Sequence, residues 1–166
     1  MRKSSYLFLL RYIAYAVAFY LFIDLAFFKE LFHINSLYTN FATTVAHQSA
    51  LLLGLDVARE ANRLTLDGFT AVVMFGCSGL EALLIFWAGM FAYRAPLKLK
   101  TKWLLGGSAA MIALNNVRLV ALLIVGTYDR ALFDLMHIYI TQSIMLFIAI
   151  VIFLYFVLKA NEHANA

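Results

Sequence analysis

Four apolar runs, Tyr6–Phe28, Cys77–Tyr93, Trp103–Gly126 and His137–Leu158, limit what this chain can fold into. A helix needs roughly 20 apolar residues to cross the hydrocarbon core of a bilayer, and each run is close to that length. A fifth segment, Leu37–Leu55, has the length but carries Asn40, Thr43, Thr44, His47, Gln48 and Ser49. Of the 166 residues 64% are hydrophobic and 13% charged, whereas a soluble domain is about half apolar and about a quarter charged. A chain of this size exposes much of its surface, so the apolar excess cannot be hidden in one small core. Lipid is the expected solvent. No repeat, low-complexity tract or linker interrupts the sequence, and residues 1–166 read as one membrane domain.

The formal charge of +4 raises the question of an acidic partner. Arg2, Lys3, Arg94, Lys98, Lys100, Lys102 and Lys159 all flank apolar runs, which is a topology signal and not a nucleic-acid patch. The segment Arg94–Lys102 holds four basic residues, no acidic one and Pro96. It belongs in the cytoplasm, as do both termini by the same rule. The N-terminal apolar run is too long for a cleaved signal and lacks a small-x-small site, so it reads as a retained helix. Glu30, Asp56, Glu60, Asp67, Asp129 and Asp134 then fall on the outer side.

This orientation constrains Leu37–Leu55. A single crossing there would force the basic loop outside, so the segment is expected to lie at the outer interface as an amphipathic helix or to dip in and return. In Asn62–Met74, two β-prone runs flank Asp67-Gly68, a strong hairpin signal. The hairpin leads into Gly76-Cys77-Ser78-Gly79, with a helix expected to start at the cysteine. The expected fold is an all-α integral membrane bundle of about four transmembrane helices, with an outer amphipathic helix and a short β-hairpin.

Three residues stand out chemically. Cys77 is the one cysteine, which excludes an internal disulfide and a cysteine-rich metal site. A thiol at a helix N-terminus is shifted towards thiolate, and Gly76 and Gly79 leave room for a substrate backbone. A lone cysteine in an apolar chain is nevertheless most often packing. Arg118 lies inside Trp103–Gly126, where an arginine at mid-membrane costs roughly 2.5–3.5 kcal/mol and by default faces the bundle interior for a functional reason. Asn115 is on the same helix face, three residues earlier. The bland alternative is an ion pair with Glu81 or Asp24. His137 opens the last run at its outer end, and histidine is the usual base for a cysteine. His33 and His47 are rival outer histidines, while His163 lies in the cytoplasmic tail. Charge topology alone puts Cys77, Arg118 and His137 in one leaflet on successive helices.

Two other classes compete. A haem-binding subunit would need two facing histidines, and His47 with His137 is the available pair. A non-catalytic assembly or transport subunit would use Arg118 as an anchor. Zinc and serine protease readings fail for want of His-Glu-x-x-His or Gly-x-Ser-x-Gly.

Cys77 in Gly76-Cys77-Ser78-Gly79-Leu80, Arg118 in Asn115-Asn116-Val117-Arg118, and His137, in this order, resemble the exosortase/archaeosortase family of membrane transpeptidases. The resemblance covers roughly Leu66 to Leu158, and the length fits compact subgroups such as the exosortase H type. It implies a cell-membrane enzyme, active on the outer face, that cuts a C-terminal sorting signal (motif, transmembrane helix, basic cluster) from exported proteins. The new C-terminus can pass to a lipid or glycan acceptor. It further implies Cys77 as nucleophile, His137 as general base and then acid, and Arg118 as oxyanion or thiolate stabiliser. Asn115, Glu81, Ser78 and Gly79 would support them or contact substrate. No cofactor or metal is implied.

Overall fold

The computed structural model describes residues 2–24 and 34–165. Glu30, His33 and the end of the first apolar run, residues 25–28, lie outside the described residues. The described elements are α1 (Arg2–Asp24), α2 (Ile34–Leu52), β1 (Ala58–Glu60), β2 (Arg63–Leu66), β3 (Phe69–Val72) and a 3-10 turn (Phe75–Cys77). They continue with α3 (Leu80–Ala92), α4 (Leu97–Tyr128), α5 (Arg130–Leu135), a π-helical turn (Met136–Ile140) and α6 (Thr141–Asn165). The protein is a helical membrane protein with a small sheet at one end.

Three stretches among the described residues are long and apolar enough to cross a bilayer: Tyr6–Ile23, Leu97–Tyr128 and Arg130–His163. The run Cys77–Tyr93, expected as a further full span, yields the 13-residue α3. At 1.5 Å per residue that is about 20 Å, short of the roughly 30 Å hydrocarbon core. Its ends explain the length. Gly79 takes a left-handed conformation at φ 80°, and Tyr93 is already extended at ψ 136°. Pro96, whose ring holds φ at −56°, then starts α4, and its carbonyl accepts the Lys100 N–H at 3.0 Å. Helix α4 has 32 residues and is about 48 Å long, so it rises past the start of α3. The cysteine is thereby set below the top of the bundle.

Apolar packing falls into two layers. In one, Phe86 and Met90 of α3, Met111 of α4 and Met145 and Phe156 of α6 are buried together, with Phe19 of α1 against them. Gly107 of α4 admits the Phe86 ring, whose Cζ would stand 2.5 Å from an added Cβ. In the other layer, Ala42, Ala46 and Ala50 recur every four residues and form the small-residue stripe of α2. That stripe packs against Leu119, Val120 and Leu123 of α4 together with Leu64 and Leu66 of β2. Polar groups of α2 are satisfied locally: Thr43 and Thr44 donate to the carbonyls of Thr39 and Asn40, each at 2.7 Å. Asn116 Nδ2 of α4 donates to Ser49 Oγ at 2.7 Å. The polar segment is thus one uninterrupted helix laid along α4.

The hairpin forms in the expected place. Arg63 pairs with Val72 and Leu66 with Phe69. Asp67 (φ 48°) and Gly68 (φ 81°) both have positive φ, as a type I′ turn requires. A third strand, β1, joins it antiparallel through Ala58–Thr65 and Glu60–Arg63 pairs. All three β1 residues are exposed, so no alternation marked the strand in the sequence. The sheet is seated on α4 at Gly126, where a Cβ would overlap the Phe69 ring.

Candidate active site

Strand β3 delivers the chain to the 3-10 turn holding Cys77, whose amide donates to the Met74 carbonyl at 2.9 Å. The cysteine does not begin the helix as expected. It lies three residues ahead of α3, with Ser78 and the left-handed Gly79 between them. Helix-dipole activation of the thiol is therefore weaker than at a first-turn position.

The turn is held from α4. Asn115 Nδ2 donates to the Ser78 carbonyl at 2.7 Å, and the wholly buried Ser78 accepts the Leu80 N–H on Oγ at 3.4 Å. A Cβ on Gly79 would stand 2.7 Å from Asn115 Cγ. Gly79 is thus needed for its backbone conformation and for the close approach of Asn115. It does not leave space for a substrate, contrary to the expectation from sequence. Gly76 does face open space.

Cys77 is buried, and its Sγ lies 3.3 Å from His137 Nε2. The last helical stretch begins at Arg130, not at the histidine. Asp129 Oδ1 caps it, accepting the N–H groups of Ala131 at 2.7 Å and Leu132 at 3.1 Å. His137 sits two turns in, within the π turn Met136–Ile140. π turns inside longer helices commonly occur at functional positions, because they rotate one side chain out of register. Phe133, four residues earlier, stacks on the imidazole at 5.5 Å with a 4° interplanar angle. Phe69 of β3 packs edge-on against Phe133 at 5.0 Å, so the sheet braces the histidine. His137 Nδ1 is buried without a hydrogen-bond partner. Asp134, one turn earlier and exposed, acts on the ring electrostatically.

Arg118 is 7% exposed. Its Nε donates to Thr141 Oγ1 at 2.8 Å and its Nη1 to Asn115 Oδ1 at 3.5 Å. Both acceptors are neutral. Among the described residues no ion pair joins Arg118 to Glu81, which is half-buried on α3. The guanidinium interacts electrostatically with both Cys77 and His137. It has five N–H donors, and these two bonds leave Nη2 uncommitted. Thr141, which no sequence argument singled out, also donates to the His137 carbonyl at 3.4 Å. Its i, i+4 relation to His137 was the available signal.

The expected residues separate cleanly. Cys77, Arg118, His137, Asn115, Ser78 and Gly79 form one cluster, while Glu81 makes no hydrogen bond or ion pair with it. His47 is bound elsewhere: its Nε2 lies 3.0 Å from the Val57 carbonyl. The Nε2 of His137 is turned to Cys77, so each histidine of the pair expected for haem ligation has another partner. The basic segment Arg94–Lys102 lies at the far end of α3 from the cluster.

No curated protein and no solved structure matches this chain. Residues 7–156 match the family model described as transmembrane exosortase, and the chain accordingly belongs to the transmembrane exosortase family.

Proposed function

We propose that this protein is a membrane-embedded cysteine transpeptidase that cuts a C-terminal sorting signal from exported proteins through a thioacyl intermediate. The observation that carries this reading is the 3.3 Å approach of Cys77 Sγ to His137 Nε2, with a buried arginine in electrostatic range of both. These groups fit the roles of a nucleophile, a base and a fixed cation gathered at one largely buried site.

In the reaction, His137 Nε2 takes the thiol proton as Cys77 Sγ attacks the scissile carbonyl carbon. The carbonyl oxygen becomes an oxyanion, which the free N–H groups of Arg118 receive. The C–N bond then breaks, His137 returns its proton to the leaving amine, and the acyl group remains on Cys77 as a thioester. The hydroxyl of a lipid, a glycan or water next attacks the thioester carbonyl. His137 accepts its proton, the C–S bond breaks to release the Cys77 thiolate, and the proton passes from His137 to that thiolate. Asn115 holds the cysteine turn and the arginine together through the whole cycle.

The charge topology supports a site on the outer face of the cell membrane, with both termini in the cytoplasm. A substrate still anchored by its C-terminal helix would then meet a nucleophile set below the top of the bundle. The decisive experiment is intact-mass analysis of a co-expressed exported protein bearing such a signal, with wild type beside Cys77→Ala. Cleavage with wild type alone supports the reading, and the mass of the new C-terminus identifies the acceptor. Equal cleavage by both overturns it.

A further inference from the structure

At the opposite end of the bundle, α1 and the end of α3 enclose a groove of about 180 Å³ lined by Leu7, Phe8, Arg11, Ala92, Tyr93 and Arg94. Two guanidiniums share it. Arg11 is partly buried on the inward side of α1, and Arg94 is exposed at the start of the basic loop. Neither makes a hydrogen bond or ion pair among the described residues. They are therefore not capping the last carbonyls of α3, the ordinary role for arginines at a helix C-terminus. Two like charges on one groove repel, and each fork of N–H donors fits an anion that can accept two bonds at once.

Depth points to the kind of anion. Tyr93 packs edge-on against Phe8 at 6.3 Å and donates its hydroxyl to Asn161 Oδ1 at 2.7 Å. Trp103 meets Tyr155 at 5.3 Å, and Lys159 lies 5.8 Å over the Tyr155 ring. Tyrosine and tryptophan with lysine gather at headgroup level in membrane proteins. The groove thus opens at the depth of lipid phosphates. Just beyond it α1 shows Leu10 and Ile13, 59% and 53% exposed, a surface for acyl chains.

We propose that this groove binds the phosphate of an anionic phospholipid, held between Arg11 and Arg94 with its acyl chains along α1. Basic pockets between membrane helices are recurrent lipid headgroup sites. The site is remote from Cys77, and its test is independent of cleavage.

The test is native mass spectrometry of the full chain from detergent micelles doped with dioleoylphosphatidylglycerol or dioleoylphosphatidylcholine. Wild type should retain the glycerol lipid about tenfold more than the choline lipid. The double variant Arg11→Gln/Arg94→Gln should lose that preference, while Lys98→Gln/Lys100→Gln should keep it. A double variant with unchanged preference overturns the proposal, as does equal retention of the two lipids by wild type. Displacement of the lipid by millimolar inorganic phosphate would assign the groove to a free anion and overturn the lipid reading. If the double variant does not fold, Arg94→Gln alone decides: a roughly threefold loss of preference is expected, and none refutes the site.

Discussion

Thr141 accepts the Arg118 Nε–H at 2.8 Å and donates to the His137 carbonyl at 3.4 Å, so a single hydroxyl couples the buried guanidinium to the helix turn that carries His137. The π turn makes this possible. The Thr141 N–H bonds to the Met136 carbonyl, five residues back, which leaves the Thr141 hydroxyl to reach the His137 carbonyl.

Replacing Thr141 tests that coupling. Thr141→Val keeps the shape and removes the hydroxyl, leaving a buried guanidinium N–H unpaired. Processing of a tagged substrate should fall about tenfold, since a hydrogen bond to a charged group contributes roughly 1.5–3 kcal/mol. Thr141→Ser should restore most of the rate. A purely structural role would instead lower membrane accumulation in both variants alike.

Cys77→Ala and Cys77→Ser should abolish processing while the protein accumulates in membranes at the wild-type level. Cys77 belongs to the buried cluster that includes Leu119, Val120 and Leu123, and replacements of similar or smaller size are tolerated by packing. Residual cleavage by either variant would remove Cys77 from the nucleophile role.

Arg118→Lys should reduce processing by about a hundredfold or more, the scale seen when a preorganised oxyanion donor is lost. An ammonium carries its three donors on one nitrogen and cannot reproduce the planar fork, whose Nε meets Thr141 and whose Nη1 meets Asn115. Activity within a few fold of wild type would show that only the charge matters and that the fork does not.

Gly79→Ala should destabilise the fold by about 1–3 kcal/mol, for two reasons that act together. The position has φ 80°, which side-chain-bearing residues adopt only with strain. The added Cβ would also stand 2.7 Å from Asn115 Cγ. A lowered thermal midpoint in detergent is expected, together with slower alkylation or processing at Cys77. Gly79→Ala should cost less in an Asn115→Ala background than in wild type, because the clash is then gone and only the backbone strain is left. An equal cost of Gly79→Ala in the two backgrounds would show that contact with Asn115 does not matter.

Much of the site was legible before any tertiary structure. The scarcity of reasons for an arginine to enter an apolar helix marked Arg118, and the four basic residues of Arg94–Lys102 marked the end of the bundle opposite the site. Asp67-Gly68 announced its turn because few residue pairs tolerate two successive positive φ values. Thr141 and Phe133 were not legible, although both lie four residues from His137. Threonine and phenylalanine are ordinary in an apolar helix, and nothing local says which face the histidine uses. Nothing local set Glu81 apart from the cluster either, because its position depends on the helix starting at Leu80 and not at Cys77.

What the sequence determined by itself was set by local chemistry: apolar length, charge placement, turn residues, and the presence of Cys77, Arg118 and His137, the residues the proposed reaction uses. Tertiary structure decided distance and depth. That α3 is shorter than the apolar run containing it, that α4 overruns it, and that a π turn brings His137 round to Cys77 all depend on how helices of unequal length are packed side by side. Depth and rotation are relations between elements, fixed by which side chains interlock, such as Gly79 under Asn115 and Phe69 on Gly126. No pattern within a single segment encodes them.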